Sequence, residues 1–156
     1  MIDYNKILSD KIKKTKPSQI RKFFDIAGTM DDVISLGVGE PDFSTPWVIR
    51  KAAIQTLERR QIIYGPNKGI EPLRKAISDD LKKKTGVDYD SESEVIVTVG
   101  GSEAIDIALR GLINDGDEVL VTEPCFVCYT PLIELAGGVA VSVPTKLENN
   151  FKLTVN

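Results

Sequence analysis

Apolar residues recur at helical spacing through the first half of the chain, and the period shortens at residue 95. Residues 17–29 (PSQIRKFFDIAGT) predict a short helix, with Pro17 and Ser18 suited to its start and Gly28 to its stop. Residues 33–46 (VISLGVGEPDFSTP) read as a brief apolar run followed by a turn-rich loop. In residues 47–60 (WVIRKAAIQTLERR), Val48, Ala52 and Gln55 share one face and Ile49, Ala53 and Leu57 the next, which predicts an amphipathic helix. Residues 64–69 (YGPNKG) form a loop. A helix is expected from about Glu71 to Lys84, with Pro72 tolerated in its first turn and Gly86 near its stop.

Val95–Val99 (VIVTV) is short, β-branched and nearly all apolar, which predicts a strand covered on both faces. Ile105, Ala108, Leu109 and Leu112 return to helical spacing, and residues 114–117 (NDGD) end that helix. Residues 118–122 (EVLVT) predict a second buried strand. Residues 130–136 (TPLIELA) predict a helix stopped at Gly137-Gly138, and 139–143 (VAVSV) a third strand. Strand and helix alternating at this spacing imply an α/β fold with a parallel-type sheet and crossover helices. Open parallel sheets bind ligands at the carboxyl ends of their strands. The stretches after Val99 and after Thr122 are therefore where function is sought.

Composition narrows the classes. The chain has 156 residues, enough for one domain with a core, and 42% hydrophobic with 28% charged residues fits a soluble globular protein. A net charge of −3 argues against a nucleic-acid surface, which needs a basic excess. The run Lys11–Lys16 (KIKKTK) reads as a solvated face with Asp3 and Asp10 nearby. No apolar run is long enough to span a bilayer, so no membrane partner is expected. The start, MIDYNKILSD, lacks the basic and then apolar order of a signal peptide, and the expectation is a cytoplasmic protein. The absence of histidine removes His-based triads and imidazole metal sites. Cys125 and Cys128 are too few for a disulfide framework. Their C-x-x-C spacing raises a thiol–disulfide oxidoreductase as a rival to two small buried or half-buried side chains. Zinc would need two further ligands.

The stretch 97–109 (VTVGGSEAIDIAL) carries the candidate chemistry. The first amides of a helix have no intrahelical acceptor and lie at a positive dipole end. An anion placed there collects several hydrogen bonds, and glycines let the backbone approach it. Gly100, Gly101 and Ser102 suit a phosphate cup. They equally suit a tight strand-to-helix turn in which Ser102 is the N-cap. Glu103 opposes anion binding unless its side chain turns away. Asp115 and Asp117 read as turn and helix-end residues, and Trp47 as packing.

Four segments, residues 35–46 (SLGVGEPDFSTP), 64–74 (YGPNKGIEPLR), 97–105 (VTVGGSEAI) and 116–129 (GDEVLVTEPCFVCY), together resemble the N-terminal portion of the class I/II aminotransferases. These are fold-type I enzymes that use pyridoxal 5'-phosphate. The resemblance implies that residues 1–45 are an N-terminal arm and part of the small domain, and that 46–156 are the first half of the cofactor-binding large domain. It implies that the Gly39 amide receives the substrate α-carboxylate. Tyr64 would reach the cofactor phosphate of a partner subunit. Gly101 and Ser102, led into by Gly100, would hold the phosphate. Phe126 would stack on the pyridine ring and Tyr129 would lie near its far side. Each has a plainer reading: Gly39 a turn, Tyr64 a loop residue over apolar surface, Phe126 a core aromatic.

The implied reaction transfers an amino group from an L-amino acid to a 2-oxo acid, in a homodimer. The resemblance puts the Schiff-base lysine, the carboxylate facing the pyridine nitrogen and the substrate arginine beyond residue 156. No lysine here, Lys68 and Lys75 included, is assigned the catalytic role, and the isolated chain is not expected to turn over. The alternative within this resemblance is a non-catalytic fragment that pairs with an intact subunit. In the family, strands from further along the chain lie between the first strand here and the next two. Residues 95–99 and 118–122 would then lack their usual neighbour.

Overall fold

A computed structural model describes residues 3, 6–15, 20–34, 36, 37, 39, 41–59 and 64–154. The chain falls into two compact units, Met1–Ser18 with Thr98–Asn156, and Gln19–Val97.

Helix α1 (Asp10–Lys14) opens the first unit. The Ser9 side chain accepts from the Ile12 amide, Asp10 occupies the first turn, and Lys11, Lys13 and Lys14 the last. That charge order follows the helix dipole. The described part of the basic run is a solvated face, as read from the sequence, and it is helical, with Lys11 Nζ 3.4 Å from Asp115 Oδ1. Lys16 lies outside the described residues.

In the second unit, α2 (Ile20–Ala27) ends at Gly28 as expected, while Pro17 and Ser18 lie outside the described residues. Helix α3 (Trp47–Glu58) follows the expected span, as does α4 (Glu71–Thr85). Gly86 closes α4 at φ 77°, its amide donating to the Lys82 carbonyl, a left-handed cap that glycine adopts without a Cβ penalty. Arg74 of α4 is only 2% exposed. It donates to the Gly69 carbonyl at 3.1 Å, to the Ser91 carbonyl, and to Glu92 Oε1 at 2.9 Å. Lys68 Nζ adds a bond to Glu92 Oε2 at 3.0 Å, and Ser78 Oγ donates to the Tyr89 carbonyl. The chain on either side of α4 is thus clamped to the helix.

Residues 95–99 are not a strand. They run without regular structure, and Val97 donates its amide to the Lys68 carbonyl at 3.0 Å. A strand needs a ladder partner, and none exists for them among the described residues. Gly69 faces this segment at φ +96°, and a Cβ there would stand 2.6 Å from Val97 Cγ2. Glycine is required on both counts.

The first unit continues with α5 (Gly101–Leu112), β1 (Glu118–Glu123), α6 (Tyr129–Ala136) and β2 (Val139–Pro144). β1 and β2 pair in parallel, from Glu118 opposite Val139 to Glu123 opposite Pro144. α6 is the crossover and packs on both strands and on α5. β1 is covered on one face only: Val121 is 6% exposed, its neighbour Leu120 72%. Alternation sends the two side chains to opposite faces, and only one face finds a helix. Asp117 accepts the Asn114 amide at 2.7 Å, as a turn residue should. No helix among the described residues is long and apolar enough to cross a membrane.

Candidate functional site

The start of α5 is set by one glycine. Gly100 sits at φ 87°, ψ 168°, a region that side-chain-bearing residues all but never occupy. It is the N-cap, and no side chain caps the helix. The reading of Ser102 as N-cap is corrected: the backbone turns two residues earlier, so Ser102 falls within the first turn. Its Oγ instead lies 3.9 Å from Cys128 Sγ. Gly101 and Ser102 follow the cap directly, so their amides have no intrahelical acceptor. Among the described residues they find no other protein acceptor.

Two side chains organise the turn leading into these amides. Thr98 Oγ1 donates to the Gly100 carbonyl at 2.9 Å. Glu103 Oε2 accepts from the Val99 amide. The Glu103 carboxylate is therefore turned back to the segment before the helix. A Cβ built on Gly100 or Gly101 meets nothing within 4 Å, so the space beside these amides is open. A phosphate group fits such a site: free amides at a positive helix end, room for close approach, and a hydroxyl on the same turn.

The loop after β1 brings Cys128 to this turn. Cys128 is the N-cap of α6 and Tyr129 its first residue. The Phe126 and Tyr129 rings meet edge to face, with centroids 5.9 Å apart and planes at 79°. Phe126 is 54% exposed rather than a core aromatic, and Tyr129 is half-buried. Tyr129 also lines an apolar cleft of about 250 Å³ with Ile105, Leu109, Val121 and Ile133. Cys125 and Cys128 are both free thiols, the first exposed and the second half-buried. No metal-holding cluster of acids and cysteines occurs among the described residues.

Tyr64 and Gly39 belong to the other unit. Tyr64 is fully exposed, just before a turn in which the Gly69 amide donates to the Pro66 carbonyl at 2.9 Å. Gly39 is exposed with open space around it; Ser35, Val38 and Glu40 lie outside the described residues. The sequence reading passed over Thr98 and Arg74. Glu103, expected to oppose an anion unless its side chain turns away, does turn away. It stands three residues after the cap, but the cap is a glycine and the carboxylate reaches the Val99 amide one residue before it, so the capping-box pattern does not mark it.

Sequence comparison decides the family. The sequence model of "Aminotransferase class I and II" matches residues 31–156. This chain belongs to the class I and II aminotransferases. An aspartate aminotransferase of Pyrococcus abyssi is 47% identical over 96% of the chain, and an aromatic-amino-acid aminotransferase of Thermococcus litoralis is 44% identical over 96%. The solved aspartate aminotransferase of Thermus thermophilus with maleate superposes with a TM-score of 0.87 at 34% identity, over 94% of this chain and 39% of that one. The chain spans about 38% of the length of the two sequence relatives. Its α/β architecture, with a small parallel sheet, is part of the fold-type I arrangement of these aminotransferases.

Proposed function

We propose that this chain forms the phosphate and ring cradle of an aminotransferase that moves an amino group from an L-amino acid to a 2-oxo acid, with pyridoxal 5'-phosphate as cofactor. The carrying observation is the uncapped start of α5, where the Gly101 and Ser102 amides lie open at the end of a helix. Pyridoxal phosphate, when bound, supplies a carbonyl that takes the amino group and a ring that withdraws electrons from it. The protein's part is to hold and orient. Gly100 shapes the turn, Gly101 and Ser102 bind the dianion, Phe126 offers an exposed ring face for stacking, and Tyr129 braces Phe126 edge-on. Gly39 binds the substrate carboxylate. Tyr64 serves the phosphate of a partner subunit in a homodimer, and its full exposure leaves it free to do so. Residues 1–45 serve as arm and small-domain segment and 46–156 as large-domain half, in a cytoplasmic enzyme.

The test uses pyridoxamine 5'-phosphate and pyridoxamine, which bind without forming a bond to any lysine. Calorimetric titration of the 156-residue chain should show tighter binding of the phosphorylated form, with no amino transfer by the chain alone. Equal affinity for the two compounds, or a co-crystal in which the Gly101 and Ser102 amides are engaged elsewhere, overturns the reading.

A further inference from the structure

An anion-binding helix start that carries a glutamate in its first turn poses a problem. A carboxylate three residues after the cap is attracted to the same free amides as the phosphate. In this chain the conflict is removed by where Glu103 is spent. Its Oε2 accepts from the Val99 amide, upstream of the cap. Thr98 Oγ1 donates to the Gly100 carbonyl at 2.9 Å from the same side. The two bonds bracket Gly100, which has the glycine-only dihedrals φ 87°, ψ 168°.

We infer that Glu103 and Thr98 are positioning residues for the cofactor phosphate. They hold the turn 98–103 in its binding geometry before any ligand arrives, and Glu103 keeps its own charge off the Gly101 and Ser102 amides. Preorganised donors bind an anion more tightly than donors that must be ordered on binding. The inference rests on the phosphate-cup reading proposed above. It assigns Glu103 two separable properties. The acceptor oxygen orders the turn and favours binding. The negative charge, in the same helical turn as the amides that would hold a dianion, opposes it.

Glutamine keeps the acceptor and removes the charge, whereas alanine removes both. The variants are Glu103→Gln, Glu103→Ala and Thr98→Val in the full 156-residue chain. The readouts are affinity for pyridoxamine 5'-phosphate and for pyridoxamine, and the exchange rate of the Val99 amide by NMR. Glu103→Ala is expected to weaken the phosphorylated compound about tenfold, the scale of one charge-assisted hydrogen bond. Its affinity for pyridoxamine should stay unchanged, and the Val99 amide should exchange faster. Glu103→Gln should keep Val99 protected and bind the phosphorylated compound at least as tightly as the parent. Thr98→Val should follow Glu103→Ala with a smaller loss.

Parent-like phosphate affinity in Glu103→Ala, or an equal loss in Glu103→Gln and Glu103→Ala, overturns the inference. Should Glu103→Ala fail to fold, Thr98→Val and Glu103→Gln decide the matter by the same two readouts. A parent chain that does not distinguish the two compounds overturns the proposed function instead. The Val99 exchange rates then decide the ordering role: slow in glutamine and fast in alanine supports it, and equal rates refute it.

Discussion

Two turns in this molecule are built from the same materials and serve opposite ends. Around residues 64–97, the buried polar side chains are matched. Arg74 is buried against two backbone carbonyls and Glu92, Lys68 pairs with the exposed Glu92 carboxylate as well, and Gly69 is pressed against Val97. At residues 98–103 the side chains satisfy the approach to the helix and leave its first amides open. A buried polar group left unmatched is destabilising, so a matched cluster is structure. An exposed one is tolerated because water stands in, and a ligand displaces that water. On the proposed function, the difference between the turns separates residues whose loss should destabilise the fold from residues whose loss should weaken binding.

Substitutions sharpen or break that separation. Arg74→Met should have the largest effect. It removes the donor of the Gly69 and Ser91 carbonyls from a buried position, and should lower stability by about 3 kcal/mol in urea unfolding, the scale of two buried acceptors left unmatched. Gly69→Ala comes next, at about 2 kcal/mol by the same measurement, because it adds both left-handed strain and a clash with Val97. Ser102→Ala should leave the stability in urea within about 0.5 kcal/mol, as an exposed substitution does, and weaken pyridoxamine 5'-phosphate about tenfold, the scale of one hydrogen bond to a charged group. A large loss of stability there would erase the distinction between the two turns.

The smallest effect concerns acid. The Lys68 ammonium, and after it the Arg74 guanidinium, holds the Glu92 carboxyl below its ordinary range. The hydroxyl of Ser93 does the same for Asp90. A depressed carboxyl stabilises the fold above its unfolded pKa, and that contribution is lost as pH falls through the folded value. Stability of the parent should therefore decline on acidification below the usual carboxylate range. Glu92→Gln should flatten that decline slightly, in urea midpoints taken from neutral to acid pH.

Three helices were legible because their ends were written in glycine, whereas α1 was not expected. Gly28, Gly86 and Gly137 stop α2, α4 and α6 close to where the sequence places them. The strands were less so. An apolar run such as Val95–Val99 states that a segment wants a partner, and nothing in it says whether the partner is present. Residues 118–122 read as a buried strand for the same reason, and only Val121 among them is buried. At the candidate site, the glycines were readable as backbone features. The tasks of Thr98, Glu103 and Arg74 were not, since each depends on which amide or carbonyl folding brings within reach. Arg74 in particular sits in a helix rich in charged residues, and no local pattern marks it as the one that is buried.

Gly100 and Gly101 are neighbours of one residue type with separate reasons to exist. The first is demanded by the dihedral angles of the chain itself; the second borders vacant space that admits a methyl group. A library screened only for soluble expression should thus reject replacements at the first and accept small ones at the second. Screening the same library for binding of pyridoxamine 5'-phosphate should make both intolerant, so that sequencing the survivors of the two screens tells architecture from occupancy at single-codon resolution.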